Sequence, residues 1–127
     1  MENTKKISVT SLTWDEAAHA INAAGVVDPA GINTPGDIAR GGHCYAFNCD
    51  GETCSYVVRV VGKTMVIDAA AATGTKNATA VGLELARRMA LEIGCTAIQF
   101  ETARPGLAKL ALQHGYTSKS VLMEKKL

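Results

Sequence analysis

The hydrophobic and polar positions change period several times along the chain, and each change marks an element. Ile7 to Leu12 alternates and predicts a strand. Thr13-Trp14-Asp15-Glu16 then reads as a capping box, in which Thr and Glu satisfy each other's backbone N–H groups, opening a helix over 14–24 that stops at Gly25. Its alanines and Ile21 form a weakly apolar face, suited to packing on a sheet. Gly and Pro then accumulate over 26–42, where Thr34-Pro35-Gly36-Asp37 predicts one or two turns of helix with proline at the first helical position. From His43 to Ala72 the pattern becomes strand, hairpin, strand, hairpin, strand, over 44–48, 54–61 and 64–72, with Asp50-Gly51 and Gly62-Lys63 as the turns.

The second half carries the strongest helical signal. Over 78–93, Val81, Leu85, Met89 and Ile93 recur every fourth position, Glu84, Arg88 and Glu92 form a charged stripe, and Gly94 supplies a left-handed cap. A mostly apolar strand follows over 95–102, of the buried parallel type. A last helix runs from Pro105 to Gly115, and a final strand is expected over 116–125.

Composition narrows the function. With 127 residues, 47% of them apolar, the chain is expected to form one globular domain with a core of moderate size. No apolar run approaches the roughly 20 residues of a membrane span, and the opening MENTKKISVT lacks an apolar secretory stretch, so a cytoplasmic protein is expected. Thirteen Lys and Arg against twelve Asp and Glu leave a formal charge of +1, and aromatic residues are 5% of the chain. Neither clustered positive charge nor a stacking platform for nucleic acid is supplied. His43, Cys44, Cys49 and Cys54 are soft ligands within a dozen residues, but they flank one hairpin and alternate in direction, so no metal site is expected and the cysteines read as small strand fillers. Gly74 and Lys76 do not have the spacing of a phosphate-binding P-loop.

The order strand, helix, short helix, three-strand meander, long helix, strand, helix, strand resembles the GNAT (general N-acetyltransferase) superfamily. Local detail in the second half supports the likeness: the long helix closing on Gly94, the strand Thr96-Ala97-Ile98-Gln99-Phe100-Glu101, the helix closing on His114-Gly115-Tyr116, and the tail Met123-Glu124-Lys125-Lys126-Leu127. The resemblance implies an α/β fold of the α+β kind, with a mixed, mostly antiparallel, twisted sheet of six or seven strands and about four helices, in one domain over 1–127. Short GNAT-like proteins with an eroded cofactor loop also look similar to sequences encoded by bacteriophages.

What the family implies for the site is carried over position by position. Acetyl-CoA, or a related acyl-CoA, is expected where the fourth and fifth strands part, with its pyrophosphate on the loop opening the long helix, a terminus whose N–H groups and dipole favour anions. Measured back from Gly94, the family's phosphate motif falls on Thr75, Lys76, Asn77, Ala78, Thr79 and Ala80, of which Ala80 alone matches. The hydroxyls of Thr73, Thr75 and Thr79 and the charge of Lys76 are the groups that remain for phosphates; the alternative is that Thr75 or Asn77 simply caps the helix. Ala69, Ala70 and Ala71 would offer their backbone to the pantetheine arm, or else mark close packing against a helix. Asp68 is the first candidate base and Glu101 the second, each with a purely structural alternative. The family's acid tyrosine falls on Ala111, and His114 reads as complementing the helix dipole. The expected function is transfer of an acetyl group to a small-molecule or protein amine bound near 26–42, with a catalytically idle binding or assembly protein as the alternative. A homodimer paired through the final strand is compatible with this order.

Overall fold

In the computed structural model, residues 7–24, 32–49, 52–73, 78–102, 105–119 and 123–127 are described. They form five strands and four helices in the order β1 (Ile7–Ser11), α1 (Trp14–Ala23), α2 (Pro35–Arg40), β2 (His43–Cys49), β3 (Glu52–Val61), β4 (Thr64–Thr73), α3 (Ala78–Glu92), β5 (Ala97–Phe100) and α4 (Pro105–Gln113). The strands make one sheet in chain order, antiparallel from β1 through β4, with β5 parallel to β4. A parallel step needs a crossover, and α3 provides it.

Local chemistry sets most boundaries. The Thr13 hydroxyl accepts from the Glu16 amide at 3.1 Å while the Glu16 carboxylate accepts from the Thr13 amide at 2.9 Å, the reciprocal box that starts α1. Thr34 and Asp37 repeat it at 3.2 and 3.0 Å for α2, with Pro35 at the first helical position. These backbone bonds hold the Glu16 and Asp37 carboxyls below their ordinary values. Gly62, Gly94 and Gly115 take positive φ at 61°, 81° and 87°, turning the chain after β3, α3 and α4. The expected turn at Asp50-Gly51 and stop at Gly25 lie outside the described residues.

Two apolar clusters lie on opposite faces of the sheet. Phe47, Tyr56, Val58, Met65 and Ile67 face Leu85, Ala86 and Ala90 of α3, whereas Cys44, Val57 and Ala69 face Ala17 and Ile21 of α1 and Ala39 of α2. Met65 and Ile21 anchor the two clusters, at 0% and 1% exposure. Cys44 and Cys54 fall on different faces, so these two cysteines do not converge.

Two expectations are corrected. Ile93 is 49% exposed rather than part of the buried stripe of α3, because a repeat of four residues drifts by about 40° per step on a helix of 3.6 residues per turn. Leu85 and Met89 of the expected stripe do pack on the core, joined by Leu83, Ala86 and Ala90 on the buried face. Of the expected last strand, 116–119 and 123–125 form no strand and 120–122 lie outside the described residues, so five strands are described where six or seven were expected. Thr117, Ser118 and Lys119 are all polar and exposed, which leaves that segment no apolar face to fix a register.

Candidate functional site

The parallel ladder between β4 and β5 is short. It pairs Thr64 with Ala97 and ends where Ile67 meets Phe100. From there β4 continues to Thr73 with β3 as its partner among the described residues, while β5 stops. The two strands therefore cease to pair at Asp68 and Glu101, the first residues past the last pair, which leaves a fork in the ladder. Both candidate bases stand at the base of this fork, and Glu101 is exposed.

Asp68 is special for a second reason. Val57 pairs with Ala69 and Val58 with Ile67, so Asp68 is the extra residue of a bulge in β4. A bulge breaks the alternation of side chains and re-aims one of them. Asp68 reaches the face of α1 and α2, where its Oδ2 accepts from Arg59 Nε at 2.7 Å. The Asp68 carboxylate pushes the Arg59 guanidinium further above its ordinary value. The side chains are 47% exposed for Arg59 and 22% for Asp68, so water and solutes reach the pair. Around it lies an open cleft of about 260 Å³, lined by Asn33, Asp37, Ile38, Gly41, Arg59 and Asp68. The α2 segment thus lines the same cleft as the carboxylate.

The alanines beyond the fork divide by face. Ala69 and Ala71 are buried, Ala69 inside the cluster with Ala17, Ile21 and Ala39, which is the close helix packing set out as the alternative. Ala70 is exposed, opposite Tyr56 on the α3 side. On that side a methyl group leaves β4 uncovered at the point where β5 no longer flanks it. Thr75, Lys76 and Asn77 lie outside the described residues; Ala78 and Thr79 open α3, and Ala80 is half-buried.

The start of α3 is held to the sheet by a buried contact. Tyr56 donates its hydroxyl proton to the Gly82 carbonyl oxygen, and a Cβ at Gly82 would meet Cys54 Sγ at 3.0 Å and Tyr56 Oη at 3.3 Å. Burial pushes the Tyr56 hydroxyl and the Cys54 thiol upward, so both stay protonated. Ala111, at the family's acid position, is buried at 4% exposure in α4 and bears no ionisable group. His114 is exposed just past α4. Two residues were missed by sequence reasoning. Arg59 was findable, since a two-residue turn at Gly62-Lys63 sets it opposite Val66 and diagonal to Asp68. Tyr116 was not, because an aromatic after a helix-ending glycine looks like ordinary core.

A chain-long likeness to solved structures completes the picture. A Pyrococcus furiosus protein described as an acetyltransferase superposes with a TM-score of 0.61 at 13% identity, covering 96% of this chain and 100% of its own. The chain has the GNAT fold. Glucosamine-6-phosphate N-acetyltransferase from Arabidopsis thaliana gives a TM-score of 0.54 at 16% identity over 95% of this chain and 98% of its own. AAC(6')-Iy, in complex with the bisubstrate analogue CoA-S-monomethyl-acetylneamine, gives 0.51 at 10% identity over 96% and 99%. No protein-family model matches the sequence, and no curated protein does. At these identities the GNAT fold is kept while the side chains have diverged, so the residues of this site must be argued from their own geometry. Among the described residues, no helix is long and apolar enough to cross a membrane, and no three metal-ligating side chains gather.

Proposed function

We propose that this chain is an acyl-CoA-dependent N-acyltransferase that moves an acetyl group from acetyl-CoA to an amine, with 1–127 acting as one domain. The observation that carries the reading is the fork itself: β4 and β5 separate at a bulged aspartate, with a solvent-reached cleft on one face and an uncovered alanine on the other. The likeness in fold to acetyltransferases, one of them solved with a CoA bisubstrate analogue, supports this choice of cosubstrate.

In this reading the backbone around Ala69, Ala70 and Ala71 borders the pantetheine arm, and Thr75, Lys76, Asn77, Ala78, Thr79 and Ala80 receive the phosphates. Asp68 takes the proton that the attacking ammonium must lose, directly or through water, and Glu101 at the other side of the fork is the second candidate. Arg59 competes with the amine for Asp68, so binding of the acceptor exchanges one cationic partner for another. The acceptor itself is a small molecule or a protein amine lodged beside α2.

The pairing of Asp68 with Arg59 and the burial of Ala111 favour a second reading, an idle binding or assembly protein, in which the ion pair only secures the bulge. Calorimetric titration with acetyl-CoA separates the two. Micromolar binding that is lost in Lys76→Glu, with thiol release on adding an amine panel, is the expected result. No heat at millimolar acetyl-CoA would eliminate the transferase.

A further inference from the structure

Tyr116 carries a polar atom with nothing to bond. Its hydroxyl is buried and has no hydrogen-bond partner among the described residues. Buried hydroxyls are nearly always satisfied, and one left alone costs stability that phenylalanine in the same place would not. The ring is well held: Gly115 turns the chain at φ 87°, the Tyr116 amide donates to the Ala111 carbonyl at 3.0 Å, and the ring edge packs on Phe100 with centroids 5.2 Å apart at 70°. Mobility therefore does not excuse the orphan.

Its location does offer an account. Phe100 is the last residue of β5 to pair with β4. Tyr56, on the neighbouring β3, sits opposite Ala70, beyond that last pair. Tyr116 thus packs against the tip of β5, where that strand stops flanking β4. Tyr56 has already committed its own proton to Gly82. Burial raises the Tyr116 hydroxyl above its ordinary value, which keeps it a donor at neutral pH.

We propose that the Tyr116 hydroxyl is a donor reserved for an acceptor atom of an acyl-pantetheine arm lying between the parted strands. The inference rests on the transferase reading and adds a binding residue at a position different from Ala111. A hydroxyl kept unsatisfied in the empty fold is stabilised when the arm arrives, so part of the ligand's affinity comes from ending that penalty.

Tyr116→Phe tests it with two readings that do not depend on turnover. The variant is expected to melt at the same temperature as the parent or higher, because the orphan is gone. Its calorimetric affinity for acetyl-CoA is expected to fall about threefold to tenfold, the size of one net hydrogen bond. Adenosine 3',5'-bisphosphate, which lacks the arm, should bind parent and variant alike. A lower melting temperature, unchanged acetyl-CoA affinity, or equal weakening of both ligands would each overturn the proposal while leaving the transferase reading intact. Absence of acetyl-CoA binding by the parent would remove both together.

Discussion

The two faces of the sheet are filled in different ways. Under α3 the core is built from large side chains, Phe47, Tyr56, Met65, Ile67 and Leu85, with Phe47 and Tyr56 edge to face at 5.5 Å. Under α1 and α2 it is built mostly from small ones, Ala17, Ala39, Cys44 and Ala69, around Val57 and Ile21. Large side chains separate a helix from a sheet but exclude water between them; small ones let the backbones approach and leave the rim open. The thick face thereby anchors the fork, and the thin face can accommodate a charged pair at its edge.

The sharpest test of this division is at the bulge. If the thin face does the chemistry, Asp68→Asn lowers acetyl transfer by about 10² to 10⁴, equivalent to about 2.7–5.5 kcal/mol, with acetyl-CoA affinity unchanged. Equal loss of affinity would mean that Asp68 shapes the sheet and does no proton transfer. Next in size, Met65→Ala empties the centre of the thick face and costs about 2–5 kcal/mol in denaturant unfolding, whereas Ile21→Ala falls at the lower end of that range because its small neighbours can close in. A larger loss at Ile21 would reverse the ranking of the faces.

Two glycines sharpen the contrast further. A Cβ at Gly42, between α2 and β2, would sit 2.6 Å from the Val58 carbonyl oxygen, a backbone atom that cannot turn aside. Gly42→Ala should cost about 1–3 kcal/mol. At Gly82 the nearest atoms are side-chain tips, and alanine gains about 1 kcal/mol of helix propensity, so Gly82→Ala should change stability by less than about 1 kcal/mol. Melting curves of both variants decide between backbone and side-chain resistance.

The smallest effect is one of pH. The Glu16 and Asp37 carboxyls titrate below their ordinary values of 4.5 and 3.8 in the folded chain, chiefly through the Thr13 and Thr34 backbone bonds. Their stabilisation of α1 and α2 is complete above those ordinary values and is lost as pH falls through the lower folded-state values. Acid unfolding of Glu16→Gln together with Asp37→Asn should show a shallower loss over that window, and an unchanged slope would rule the two caps out as its source.

The sequence by itself determined the elements whose signals are local. Thr13 with Glu16, Thr34 with Asp37, the turn at Gly62-Lys63, and Gly94 and Gly115 each act within a few residues, and the family resemblance then supplied the order in which the elements pack. Only the tertiary structure decided where β4 and β5 part, that Asp68 is the bulged residue facing Arg59, that Ala69 is packed while Ala70 is open, and that the Tyr116 hydroxyl is left without a partner. These depend on register between strands distant in sequence, and shifting a strand by one residue turns every side chain to the opposite face. The described start of the expected last strand shows the same limit from the other side: Thr117, Ser118 and Lys119 contain no apolar alternation, so nothing local obliged these residues to join the sheet.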